Sequence, residues 1–202
     1  MIRSMASAAA VVLAALLSGC ATPLPLNNVT YEGKVSASSD KAARVVVVSG
    51  ATLGSPGTTT MIPAGKIFVP VTSGPAPALQ FTAEDQRAFG QSLRSELVRL
   101  KLFASAVDES APPSDISVNI LFPQTYHNIH WQEYTLDVVM TVSGGKEPFV
   151  RQYRVISSEE DSTWAKWNTN AYEGKLKAVK LLLRKLIPDI EAYVAKLPSG
   201  VS

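Results

Sequence analysis

Apolar and polar residues alternate along two stretches in the second half of the chain. Ile116–Phe122 and Tyr134–Val142 carry an apolar residue at every second position, which is typical of strands with one face in the core. The turn signal Ser143-Gly-Gly-Lys146 separates the second strand from a third at Phe149–Ile156. The pattern predicts a three-stranded antiparallel meander, with Val138 buried in the middle of the sheet.

A first stretch with helical spacing begins at Thr82-Ala-Glu-Asp85, which has the form of a capping box. Apolar residues then recur every three or four positions, so we expect an amphipathic helix of about 20 residues that ends near Leu102 or Phe103. Leu93 lies at the centre of its apolar stripe and should be buried.

A second helix is predicted from about residue 170 to residue 197, again from the spacing of apolar side chains. Leu183 lies at the centre of its apolar stripe and should also be buried. Because Pro188 has no backbone N–H group, it predicts a kink or a restart of this helix.

The first half of the mature chain has fewer regular patterns. Four consecutive valines, Val45–Val48, predict a strand that is buried on both faces. Residues 50–80 contain five glycines and five prolines, which predicts a long loop or irregular hairpin. One strand is expected within it at Lys66–Val71, and Pro70 makes this an edge strand or a strand end.

The amino terminus has the form of a secretory signal. An uninterrupted apolar run at residues 8–17 follows Arg3 and would cover about 15 Å as a helix, half the thickness of a bilayer core. Leu17-Ser-Gly-Cys20 follows, and it resembles a bacterial lipobox. The resemblance implies cleavage after Gly19 and a diacylglycerol thioether on Cys20, which would anchor the protein to a membrane.

The residue after the lipid-bearing cysteine is Ala21 and not aspartate. By resemblance to the sorting rule of enteric bacteria, this implies delivery to the outer membrane, with the domain on the periplasmic side. Acylation of Cys20 would also exclude it from catalysis and from a disulfide.

The patterns divide the chain into four parts. Residues 1–19 are a lipoprotein signal peptide, and residues 20–43 are a lipidated tether with one short strand around Val29–Val35. Residues 44–197 are a single α+β domain, in which an antiparallel or mixed sheet of four to five strands has two helices packed on one face. Residues 198–202 are a tail.

Composition and charge exclude several classes of protein. The chain of 202 residues has 46% hydrophobic and 18% charged residues, which is typical of a globular domain. Its net charge of +2 gives no strong field for nucleic acid. A single cysteine excludes a disulfide framework and a metal site built from several cysteines.

His127, His130 and Glu133 are the one group with the spacing of a metal site. They lie between two predicted strands and not on a helix, so surface turn residues are the favoured interpretation and a metal site the alternative. With no nucleophile elbow and no phosphate-binding loop in the sequence, we expect no catalytic residues and no cofactor.

Three other groups of residues have two interpretations each. The basic stretch of residues 175–185 is either a solvated helix surface or a face for anionic lipid or lipopolysaccharide. The acids at positions 159–161 are a solvated loop or, less in keeping with their spacing, calcium ligands. Trp164 and Trp167 lie in a polar segment, where they either cap the open end of the sheet or bind a partner.

The order of elements resembles small periplasmic lipoproteins of the YajG type and lipoproteins with a domain like the amino-terminal domain of TolB. The resemblance covers most of residues 44–197, and it carries over no functional residue beyond Cys20. It implies a non-enzymatic accessory or adaptor in envelope assembly, transport or secretion, with an envelope protein as partner. The alternative is a carrier that binds lipid or another small envelope molecule between the sheet and the helices.

Overall fold

Strands and two long helices make up most of the computed structural model, which describes residues 26–53, 58–64, 67–73, 80–128, 133–160 and 171–197. The strands are β1 (Ala42–Leu53), β2 (Thr58–Ala64), β3 (Ile67–Ser73), β4 (Ser105–Val107), β5 (Ile116–Asn128), β6 (Glu133–Ser143) and β7 (Phe149–Ile156). The helices are α1 (Ala83–Arg99) and α2 (Ala171–Val194), and short 3-10 helices lie at Leu26–Asn28 and Ser157–Glu160.

Five strands form one mixed sheet in the order β4-β1-β5-β6-β7. β1 is parallel to both of its neighbours, while β5, β6 and β7 form the predicted antiparallel meander. Gly50 of β1 lies where β5 passes so closely that an added Cβ atom would be 2.0 Å from the carbonyl oxygen of Phe122. β2 and β3 pair only with each other among the described strands, as an antiparallel hairpin within the glycine- and proline-rich region.

Both helices pack on one face of the sheet, which confirms the predicted α+β architecture. The ring of Phe89 in α1 meets the ring of Phe122 in β5 edge to face at 5.7 Å. Leu93, Leu183 and Val138 are all buried, as their positions in the apolar stripes predict.

The first turn and the end of α1 follow from its sequence. The capping box is present: the N–H of Asp85 donates to Thr82 Oγ1 at 3.2 Å, and the N–H of Thr82 donates to Asp85 Oδ2 at 2.8 Å. The helix ends at Arg99, earlier than predicted, because Lys101 takes a left-handed conformation with φ of 60°. The chain then turns back and buries Leu102 in the core.

The described part of the predicted tether, residues 26–43, lies on the domain. Leu26 and Val29 are buried in the core, and the hydroxyl of Ser92 in α1 donates a hydrogen bond to the carbonyl oxygen of Leu26. The N–H of Tyr31 donates to Glu96 Oε2 of the same helix at 2.7 Å. The predicted strand at Val29–Val35 is not formed.

The same segment then reaches α2. The N–H groups of Ser36 and Ala37 donate to Glu191 Oε1 at 2.5 and 3.2 Å. We call residues 26–41 the strap, because they cross from α1 to α2 before β1 begins.

The predicted burial of the valine strand is wrong. Val45–Val48 is not buried on both faces: Val45 is fully buried, but Val48 is 48% exposed, because the helices cover only one face of the sheet. Of the kink or restart predicted at Pro188, the restart does not occur, since α2 continues through this residue to Val194.

Candidate functional site

The face of the sheet that points away from the helices carries several exposed apolar residues among polar ones. Val48 of β1 pairs with Leu121 of β5, which pairs with Val139 of β6. Val48 and Leu121 are 48% and 39% exposed, and Val150 of β7 is 58% exposed. Tyr126, at 36% exposure, lies on the same face nearer the end of β5. We call this surface the open face; it consists of Val48, Leu121, Tyr126, Val139 and Val150.

Two charged residues on this side of the sheet pair with each other. Arg154 of β7 lies opposite Asp137 of β6, and its Nε and Nη2 atoms donate to the two carboxylate oxygens at 2.8 and 2.9 Å. The hydrogen bond to Asp137 raises the pKa of the Arg154 guanidinium above its ordinary value. A flat and nearly neutral surface of this kind suits a protein partner better than a nucleic acid or an anionic metabolite.

One edge of the sheet is only partly covered. β4 has three residues and pairs with Ala42, Ala43 and Arg44 of β1. Within the described residues, no other strand pairs with that edge of β1. Unpaired N–H and C=O groups along such an edge allow an extended segment of another chain to add as a strand.

A buried ion pair joins the amino termini of the two helices. Lys175 Nζ in the first turns of α2 lies 2.7 Å from Asp85 Oδ2 in α1, and both residues are at least nine-tenths buried. The same oxygen also accepts from the N–H and the hydroxyl of Thr82 at 2.8 and 3.0 Å. Asp85 therefore caps its own helix and fixes the start of the other.

Further buried polar groups occur in the neighbouring part of the core. The imidazole of His127 stacks on the ring of Tyr134 at 4.5 Å, and the N–H of Tyr134 donates to Ser157 Oγ at 2.9 Å. Burial, with a smaller contribution from the Asp85 carboxylate, raises the pKa of the Tyr134 hydroxyl well above its ordinary value. The Thr125 hydroxyl is buried without a hydrogen-bond partner among the described residues.

Parts of this arrangement contradict the sequence interpretation. His127 is not a surface turn residue: it is 5% exposed and lies within β5, which extends past the predicted strand end. Glu133 begins β6, while His130 lies outside the described residues. The described residues contain no group of three or more potential metal ligands.

The basic stretch is not a uniform solvated surface either, since Lys175 is buried against Asp85. Lys177 Nζ lies 3.0 Å from Glu173 Oε1, and Lys185 Nζ lies 3.4 Å from Glu159 Oε2. Lys180, Arg184 and Lys185 are the members of the stretch with the predicted surface position.

The predicted lipid attachment and partner-binding residues lie outside the described residues. These are Gly19 and Cys20 at the amino terminus and Trp164 and Trp167 in the segment before α2. Within the described parts of the chain, no helix is long and apolar enough to cross a membrane.

A cleft of about 490 Å³ lies at the opposite end of α2, beside the turn between β6 and β7. The N–H of Gly145 donates to the Tyr193 hydroxyl at 2.6 Å, and the rings of Tyr193 and Phe149 are 6.5 Å apart. Lys146, Glu147 and Lys196 also line the cleft. It therefore combines an aromatic wall with two ammonium groups and one carboxylate.

The open face was not recognised from the sequence, although a signal for it exists. Val139 occupies a position on β6 where the alternation calls for a polar residue, and Val48 and Val150 are apolar where a solvated strand face would be polar. Such a residue does not by itself indicate an exposed surface, because a valine in a strand more often packs inside.

Comparisons with known proteins show only distant likeness. No family model matches the chain, and no curated protein matches it. A crystal structure of an uncharacterized protein has 10% identity over 78% of this chain and 97% of its own, with a TM-score of 0.37. That of protein XCC0632 from Xanthomonas campestris, of family DUF330, has 12% identity over 82% and 94%, with a TM-score of 0.39.

Proposed function

We propose that this protein is a lipid-anchored adaptor of the bacterial cell envelope. Cys20 carries the anchor in the outer membrane, and the domain on the periplasmic side binds an envelope protein in assembly, transport or secretion. The observation that carries the adaptor role is the open face, a group of exposed apolar residues on the side of the sheet that the two described helices leave uncovered.

The size of the open face supports a protein partner. Strands are spaced by about 4.8 Å, so the part of the face that spans four strands and several residue rows covers roughly 400 Å², with polar residues between the apolar ones. That is about half of what one partner contributes to a standard interface. The uncovered edge of β1 adjoins the open face and can extend the contact.

A second candidate function is a carrier for a small amphipathic anion, and the cleft beside Tyr193 favours it. Its aromatic wall suits an acyl chain or ring, and Lys146 and Lys196 suit a phosphate or carboxylate group. This cleft lies at an end of the domain, while the predicted carrier would bind its ligand between the sheet and the helices.

The two functions are separated by affinity purification of the full-length protein from its native membranes after cross-linking. Val150→Lys places a charge on the open face, and Val98→Lys places the same charge on α1, where the valine is 41% exposed. The adaptor function predicts that Val150→Lys loses a protein that both the wild type and Val98→Lys recover.

The carrier function predicts a different result. Native mass spectrometry of the purified protein would then show a bound lipid or small anion, and Lys146→Glu with Lys196→Glu would lose it. Recovery of the same proteins by all variants, with no bound molecule, would contradict both functions.

A further inference from the structure

The strap fixes the path of the chain just after the anchoring residue. Leu26 is fully buried, and its carbonyl oxygen accepts a hydrogen bond from Ser92 of α1. Tyr31 and Ser36 are held by the carboxylates of Glu96 and Glu191. Leu26, at the start of the described part of the strap, therefore lies on the helical side of the domain.

We propose that the helical layer faces the membrane and contacts anionic lipid headgroups, while the open face points away from it. This inference rests on the proposed anchor at Cys20. Five residues lie between Cys20 and Leu26, and the six steps from one to the other reach at most about 20 Å when the chain is fully extended.

That reach determines which side meets the lipid. A helix is about 10 Å in diameter with its side chains, and packed layers are spaced by about 10 Å. For the open face to reach the membrane, the segment from Cys20 to Leu26 would have to be fully extended across both the helical layer and the sheet. It has ample length to place the helical layer there.

The charge of the helical layer suits an anionic surface. Lys177, Lys180 and Arg184 follow one another at helical spacing on α2, away from its buried stripe. Arg87 and Arg94 of α1 line a shallow hollow, together with Asp108 and Glu109. Glu173 and Glu84 are the acids on the exposed first turns of the two helices.

The outer side of α2 from Glu173 to Arg184 therefore carries three basic residues and one acid, and Glu173 pairs with Lys177. Glu191, further along the same helix, is bound by the N–H groups of the strap. A basic side chain near an anionic membrane strengthens binding by roughly five-fold. The sequence interpretation of residues 175–185 as a lipid-facing surface then applies to the outer residues of the stretch, and Lys175 has a separate structural role.

The test uses full-length acylated protein in vesicles that contain 30% phosphatidylglycerol. Because the chain has one cysteine, and acylation consumes it, a new cysteine can be labelled alone. Gln91→Cys places a fluorophore on the outer side of α1, and Gln152→Cys places it on the sheet face of β7; both glutamines are exposed.

Spin-labelled headgroups should quench the label at position 91 at least three-fold more than the label at position 152. Lys180→Glu with Arg184→Glu should reduce this contrast, as should vesicles made only of phosphatidylcholine. Equal quenching at the two positions, or stronger quenching at position 152, would overturn the inference while the anchor stands.

The intact mass of the vesicle-bound protein distinguishes a failure of the proposed anchor from a failure of the proposed orientation. An unmodified Cys20 would overturn the proposed anchor and this inference together. An acylated Cys20 with the wrong quenching pattern would overturn the orientation alone.

Discussion

Removing the ammonium group of Lys175 should destabilise the domain strongly. In Lys175→Met, the side chain keeps most of its volume, but Asp85 becomes a buried carboxylate that has lost its cationic partner at 2.7 Å. The carboxylate keeps its contacts with Thr82. The perturbation therefore removes one interaction and leaves the capping box in place.

The magnitude follows from burial. Breaking a buried ion pair by removing one partner costs about 3–5 kcal/mol. Because Asp85 Oδ2 retains two donors from Thr82, we expect the lower end, about 3 kcal/mol. For a domain of this size, 1 kcal/mol lowers the melting temperature by about 2–4 °C, so the expected decrease is roughly 6–12 °C.

Thermal unfolding followed by circular dichroism measures the effect. Lys177→Met is the matched control, since Lys177 forms a more exposed pair with Glu173 on the same helix. Such a pair contributes about 0.3–0.5 kcal/mol, so the control should melt within about 2 °C of the wild type. The double variant Lys175→Met with Asp85→Asn should be destabilised by less than the sum of the two single variants. The difference should exceed about 1 kcal/mol.

Two results would refute the reasoning. The first is a Lys175→Met variant that melts like Lys177→Met, which would mean that the lysine is solvated. The second is additivity of the Lys175 and Asp85 substitutions within about 0.5 kcal/mol, which would mean that the two side chains do not interact.

Three further predictions concern the core, the strap and the tryptophan segment. Leu93→Ala should lower the free energy of unfolding by about 2–5 kcal/mol, and a wild-type melting curve would show that the helix phase is wrong. Backbone N–H groups, Ser36 first among them, lower the pKa of Glu191 below its ordinary 4.5; this stabilisation is present above that value and lost as the pH falls through the lowered pKa. Strap amides should therefore exchange hydrogen faster, relative to the core, once the pH has fallen through this lowered pKa, and Glu191→Gln should remove this pH dependence. Trp164→Ala with Trp167→Ala should keep the melting temperature and lose the envelope partner if the rings bind it, whereas a loss of stability of about 3–5 kcal/mol would assign them to the core.

The parts of the fold with a local signal were predictable from the sequence. Strict alternation identified β5 and β6, a glycine turn identified the connection to β7, and the Thr82–Asp85 pattern identified the start of α1. Each of these features depends on residues that are close together in the chain.

The parallel pairing of β1 with β4 and β5 was not predictable in this way. β4 is too short to show a period, and the register of β1 on β5 joins residues about 70 positions apart. The strap has no periodicity, because it is held by hydrogen bonds from its backbone to Glu96 and Glu191.

The sequence carries a signal for the buried ion pair. Asp85 precedes Phe89 by four residues, and Lys175 precedes Val179 by four, so each charged residue lies on the apolar stripe of its helix. Opposite charges at the first turns of two stripes that share one core predict a pair. The burial of His127 had no such signal, because it depends on how far β5 extends.

The proposed function depends most directly on the chemistry of Cys20, and the intact mass of the mature protein from its native membranes measures this. The account predicts a chain that begins at Cys20 and carries a diacylglycerol thioether, with or without an N-acyl chain. The Cys20→Ser variant should accumulate as the full-length precursor without lipid. A mature wild-type protein with an unmodified cysteine, or with an amino terminus elsewhere, would contradict the account.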